Sequence, residues 1–248
     1  MDRLAKIPGL SGLSNASNVE PMQWTMNRPR ILAIAAALAL LSCTGMAQSG
    51  NLSAVLTQMD ASSKNFQKAQ ASIKREQYDR LVHDTTTQTG SIYFLRTGNS
   101  VQMGLKLDDG TVMEYKAGTL RVYQAGPNHV ETHAASGADQ ARFQTYLTLG
   151  FGGSGSDLAK AWNINDQGSE TIDGVKVEKL DLVSKDPSVK ANYSHITMWV
   201  DPARDVSLKL ETFDPAGNTN TATYSNIRYN EPIKDLASYA IKCKGKCE

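Results

Sequence analysis

His129, Glu131 and His133 alternate along one short stretch. On a β-strand their side chains would share a face, a spacing that could chelate zinc. No fourth ligand accompanies them, and the plainer role is a solvated strand face. His83 and His195 fall in stretches that read as strands. Neither has a serine or cysteine with an aspartate at the spacing that nucleophilic catalysis needs. The chain has no Gly-x-Ser-x-Gly elbow, no phosphate loop and no HExxH pair. We therefore expect no enzyme, no catalytic residue, no metal and no cofactor. Of the cysteines, Cys243 and Cys247 lie in the closing KCKGKCE. In an oxidising compartment they are expected to form a disulfide over a very short loop, contributing at most ~2 kcal/mol and only locally. Two free thiols on a tail are the alternative.

The compartment follows from residues 26–48, MNRPRILAIAAALALLSCTGMAQ. Arg28 and Arg30 form a short cationic start, residues 31–41 an apolar run, and Gly45 and Ala47 the small residues a signal peptidase requires. The run is too short to span a bilayer, which takes about 20 apolar residues. Cleavage after Ala47 leaves a soluble periplasmic protein, which is the expectation. Cleavage before Cys43, which follows Leu40, Leu41 and Ser42, would leave a lipid anchor. Residues 1–25 show no helical or strand period. They read as a start assigned too early, with Met26 the true one, or else as a long leader. The expected organisation is thus an extension at 1–25, a signal at 26–47, one domain over 48–242 and a cysteine-bearing tail at 243–248.

The whole chain carries 26 Lys+Arg against 25 Asp+Glu. Arg3, Lys6, Arg28 and Arg30, with Asp2 and Glu20, precede residue 48, so the remainder has a net charge of −1. No basic surplus exists to neutralise nucleic acid.

The elements of the body follow from its periodicity. Leu52, Val55, Leu56 and Met59 recur at helical spacing, with Phe66 two turns on, and predict a helix over 51–66. The period then becomes two. Val101, Met103, Leu105 and Leu107 alternate with Gln102, Gly104 and Lys106 before an Asp108-Asp109-Gly110 turn. Strands are expected at 71–82, 90–96, 101–107, 111–116, 119–124 and 129–132, then at 163–166, 175–183, 194–200, 207–214 and 219–229. Between the two groups, Phe143, Tyr146 and Leu147 recur at helical spacing over 139–149. A glycine-rich loop follows at 150–156, then a helical turn capped by Asp157. This is an antiparallel meander with a helix before it and a helical insert within it. Its apolar face must be hidden by a second sheet or by curling over the helices. In the latter case the apolar and aromatic side chains could line a cavity for an acyl chain, although the same pattern serves a filled core.

Several segments resemble the LolA family of periplasmic lipoprotein carriers. Residues 90–96 (GSIYFLR) resemble its glycine-hydrophobic-aromatic strand ending in arginine. Residues 117–123 (AGTLRVY) resemble its hairpin, and residues 146–151 (YLTLGF) followed by Asp157 and Leu158 resemble its mid-chain helix. Residues 198–201 (MWVD), 208–210 (LKL) and 224–227 (YSNI) resemble its closing strands. Together these segments span most of 50–242. Two departures stand out: Thr97 replaces the proline expected after the arginine, and Val101-Gln102-Met103 replaces an aromatic-rich segment.

The resemblance implies an α+β fold, an incomplete antiparallel β-barrel closed by the N-terminal helix and the mid-chain insert. It also implies a monomer that carries lipidated proteins or lipids. An inner-membrane ABC exporter would load it and an outer-membrane acceptor would unload it. A lipid-anchored, LolB-like acceptor or an envelope sensor of lipid or lipoprotein is the alternative. The ligand-binding wall is expected at Leu52, Val55, Leu56, Met59, Phe94, Met103, Leu105, Tyr123, Phe143, Leu147, Met198 and Leu210. Arg96 corresponds to the arginine whose hydrogen bonds to lid backbone hold the empty carrier shut.

Overall fold

The computed structural model describes residues 52–98, 100–116, 118–134 and 149–245. The expected extension and signal, the insert helix with Phe143 and Leu147, and Cys247 lie outside the described residues.

Helix α1 (Leu52–Ser63) is followed by six strands: β1 (Lys68–Asp79), β2 (Asp84–Thr97), β3 (Ser100–Leu107), β4 (Val112–Lys116), β5 (Thr119–Gln124) and β6 (His129–Ala134). Helix α2 (Gly155–Ala161) precedes β7 (Trp162–Ile172) and β8 (Val175–Ser184), and the single-turn helix α3 (Pro187–Lys190) follows. Strands β9 (His195–Asp201), β10 (Val206–Phe213) and β11 (Thr219–Tyr229) come next, then a 3-10 turn at Leu236–Tyr239. No helix among the described residues is long and apolar enough to cross a membrane.

Local chemistry sets most of these boundaries. At the β3–β4 turn, the Asp109 carboxylate accepts from the Thr111 N–H at 2.8 Å and Gly110 takes a φ of +87°. Ser154, not Asp157, caps α2. Its hydroxyl accepts from the Asp157 N–H, because the helix begins three residues earlier than the sequence suggests. Helix α3 was not expected. Asp186 caps it, and Pro187 fits the first turn, where no N–H is needed. Strand β2 begins at Asp84 rather than 90: Thr85, Thr86 and Thr87 carry no apolar alternation, yet they pair residue for residue with β1. Strand β7 runs on to Ile172 through a register shift between Asp166 and Ser169. His83 lies in the β1–β2 turn with φ of 54°, not in a strand.

All pairings are antiparallel, and the eleven strands form one open sheet in the order β6-β5-β4-β3-β2-β1-β11-β10-β9-β8-β7. This arrangement is consistent with a half-barrel. The first and last strands meet at its centre, from Ala69 opposite Tyr229 to Tyr78 opposite Thr219. Strands β6 and β7 are therefore opposite edges of the sheet. One face carries the core. Register places Ile73, Phe94, Met103, Leu105, Met198, Leu210 and Tyr224 on it, all buried, and they belong to one apolar cluster with Val55, Met59, Phe66 and Phe151. Burying each such side chain stabilises the fold by roughly 1.5–3 kcal/mol.

Candidate functional site

The site lies where two segments pack on the apolar face of the sheet. The first is α1 with the loop after it. Val55 and Met59 are buried on the sheet, and Leu52 and Leu56 pack at its margin. The second is residues 149–161, the described part of the connection from β6 to β7. Phe151 is fully buried there, stacked on Phe94 (4.3 Å between centroids) and edge-on to Tyr224 (5.2 Å). Such ring pairs add about 0.5–1.5 kcal/mol to the burial itself.

Polar contacts tie these segments to each other and to the sheet. Arg96, on β2, reaches both. Its Nη1 donates to the Ser63 carbonyl at 2.8 Å and its Nη2 to the Gly152 carbonyl, with the guanidinium over the Phe66 ring. A planar cationic fork suits this task, because it can serve two acceptors at once. A side chain at Gly152 would fit neither the backbone nor the space. Its φ is +78°, and a Cβ would lie 2.5 Å from the Phe66 ring. The β9–β10 turn holds the other side of the same segments. The Gly152 N–H donates to the Asp205 carbonyl at 3.0 Å, and the Ser207 hydroxyl donates to the Leu149 carbonyl at 2.6 Å. The Ser62 hydroxyl lies 2.9 Å from the carbonyls of both Pro202 and Ala203. Asp60 accepts from the Ser156 N–H at 2.8 Å and from its hydroxyl, joining α1 to α2. These bonds, the side-chain one foremost, hold the Asp60 carboxyl below the usual carboxylate range. Gly155 sits so close to the Leu56 carbonyl that a Cβ would be 2.1 Å from its oxygen.

Asp205 gave no signal in the sequence. It is 2 % exposed, at a left-handed φ of 54°, and its Oδ2 is buried without a hydrogen-bond partner. Burial pushes its carboxyl up to about 8. Arg96 opposes the shift and Asp60 adds to it. Burial thus favours the protonated acid at Asp205, beside a guanidinium that is bound instead to backbone carbonyls. Only the fold reveals this, because residues distant in the chain, Gly152 and Arg96 among them, lie against Asp205.

Of the expected wall residues, Leu52, Val55, Leu56, Met59, Phe94, Met103, Leu105, Met198 and Leu210 come together in the one apolar cluster. Tyr123 does not. It is buried outside that cluster, paired in register with Val112 on the outer face, and its hydroxyl donates to Asn128. Register sets this face: Leu105 lies opposite Met113 and Met113 opposite Val122, so Tyr123, next to Val122, points to the other side. His129, Glu131 and His133 lie along edge strand β6. The closest of their contacts is His133 Nε2 to Glu131 at 3.3 Å, and no group of three possible metal ligands converges among the described residues. His195 stacks on Phe213 and pairs with Asp181 at 2.7 Å. Cys243 is disulfide-bonded.

No protein-family model and no curated protein sequence matches the chain. Solved structures do. MucB matches with a TM-score of 0.50 at 16% identity, over 77% of this chain and 64% of MucB. A LolA superfamily protein from Nitrosomonas europaea matches with a TM-score of 0.35 at 13% identity, over 73% of this chain and 94% of that one. The lipoprotein LppX of Mycobacterium tuberculosis matches with a TM-score of 0.42 at 15% identity, over 73% and 96%. At these identities the likeness is one of fold.

Proposed function

We propose that this chain is a periplasmic carrier. It binds the acyl chains of lipoproteins or related lipids against the apolar face of its sheet and passes them towards the outer membrane. The observation that carries this reading is the way the cover is held. Besides the apolar burial of Phe151, Val55 and Met59 and an isolated bridge from Phe151 to Val206, the polar ties of the two segments are one arginine fork and a few hydrogen bonds to main-chain carbonyls, outside the pairings between the named strands. Such a cover can lift while every strand stays paired. Acyl chains that bind only the open form would then stabilise it, a population shift paid for by apolar burial.

In this reading residues 26–47 are removed on export, 48–242 are the carrier domain, and the cover closes the half-barrel as helices do in the LolA family. Arg96 holds it shut until cargo arrives, and an inner-membrane exporter and an outer-membrane acceptor are the partners. The resemblance of 90–96 and 198–201 to that family supports the reading, and the fold is similar to that of MucB.

Native mass spectrometry of protein purified from the periplasm tests it. Co-purified lipid or lipidated protein is expected, released by organic extraction. A ligand-free protein that takes up no acyl probe after delipidation would end the carrier reading. The same spectra give the mature N-terminus, Gln48 for a shuttle and lipidated Cys43 for an anchored acceptor.

A further inference from the structure

The apolar face of the sheet does not stay apolar along its length. Moving along β1 towards the β1–β2 turn, Ala69, Ala71 and Ile73 give way on the same face to Arg75 and Gln77. Register carries the change across the neighbouring strands. Arg75 lies opposite Ala222 on β11, which pairs with Leu210, which pairs with Met198, so the row is apolar on that side, while on β2 Arg75 lies opposite Gln88. In the next row Gln77 lies opposite Thr86 on β2 and Asn220 on β11, and Asn220 pairs with Thr212. The polar row floors a groove of about 780 Å³. The loop after α3 walls it with Tyr193, itself part of the apolar cluster. Groove and apolar face are thus continuous.

The charges in this groove are unequal in what they are free to do. The Asp79 carboxylate accepts from the N–H groups of Leu81 and Val82, and that of Asp214 from the N–H and side-chain amide of Asn218. Asp109, which feels the charge of Arg75, accepts from Gln88 and Thr111. Arg75 makes no hydrogen bond or ion pair among the described residues, although it is only partly exposed. A cation left unpaired over a floor of amides and hydroxyls, at the border of an apolar surface, suits a ligand with an anionic, oxygen-rich end and an apolar tail.

We propose that this groove is the head-group site for a phosphate-bearing amphiphile. Arg75 binds the phosphoryl oxygens, Gln77, Asn220 and Thr212 contact the remainder of the head, and the acyl chains run on over Ile73, Ala222 and Leu210. The inference rests on the carrier reading and adds the class of cargo: an anionic phospholipid type of head group rather than bare acyl chains.

Equilibrium binding to the delipidated mature chain tests it with three probes: phosphatidylglycerol, diacylglycerol with the same acyl chains, and glycerol phosphate alone. Wild type should prefer phosphatidylglycerol over diacylglycerol by about tenfold, the scale of one charge-assisted contact. Arg75→Gln should erase that preference while diacylglycerol binding is unchanged, and Arg75→Lys should keep much of it. Unchanged diacylglycerol binding also shows that the variant is folded. Equal wild-type affinities for the two lipids, or a preference that survives Arg75→Gln, overturns the head-group site and leaves the carrier reading standing. Glycerol phosphate bound as tightly as the lipid overturns it in favour of a small soluble phosphate ligand. Binding of neither lipid overturns the carrier reading, and the proposal with it.

Discussion

On the outer face of the sheet, side chains are held by their immediate cross-strand neighbours. On the apolar face, the covering segments are held by residues far away in the chain. Trp199 shows the first arrangement. Lys179 and Lys209, its register partners on β8 and β10, sit 5.1 and 4.2 Å from its ring centroid, and its indole N–H donates to Glu170 at 2.8 Å. Arg96 shows the second, reaching from β2 to Ser63 and Gly152. Contacts of the first kind come with the ladder and vanish only when it does. Contacts of the second kind can break while the sheet remains intact, so one face is a permanent surface and the other a coverable one.

Four substitutions probe this contrast. Phe151→Ala should have the largest effect, because it empties the aromatic cluster that seats the cover. A loss of about 3–5 kcal/mol in urea unfolding is expected, with acyl-probe uptake no longer requiring displacement of the cover. A loss below ~1 kcal/mol would mean that residues 149–152 are not anchored there.

Asp205→Asn should come next, through pH. The native carboxyl holds its proton up to about 8, whereas the unfolded chain releases it near its ordinary value of 3.8. Stability from this group is therefore full below the unfolded value and falls as pH rises through the window to about 8. The asparagine variant keeps the left-handed backbone without the charge. It should flatten that slope and gain on the order of 2–4 kcal/mol at pH 8 over wild type. Parallel pH–stability curves for the two proteins would contradict the buried-acid assignment.

Arg96→Leu should cost about 1–3 kcal/mol for the carbonyls it leaves unserved. Circular dichroism should remain that of the intact sheet, while cargo exchange in a transfer assay changes rate severalfold. Unchanged exchange would remove Arg96 from the gate. The smallest effect belongs to the outer face: Lys209→Ala should cost no more than about 1 kcal/mol and leave acyl-probe binding as it was. If it altered binding, the two faces would not be as independent as their contacts indicate.

How much of this was legible beforehand depended on how local each feature is. The alternation of Val101 to Leu107 marked β3, and Asp108-Asp109-Gly110 marked its turn, because both signals act within a few residues. The threonines of 85–87 hid the start of β2, since a strand can be paired without being amphipathic. Tyr123 was placed on the wrong face because its partner, Val112, shows which side it occupies only once the hairpin register is fixed. Arg96 stood out through a resemblance in its flanking residues. Asp205 had no such marker, and neither had Arg75, whose neighbours on β2 and β11 are known only from the register.

The sequence by itself determined the strands, their turns and an apolar side for most of them, because period and turn chemistry are written in adjacent residues. The tertiary structure alone decided that β1 pairs with β11. That pairing puts β6 and β7 at opposite edges, seats residues 149–152 on the apolar face, and brings Arg96 to Gly152 and Asp205 into burial. The physical reason is that these contacts join residues far apart in the chain. Their energies appear only after closure, and no local pattern records them.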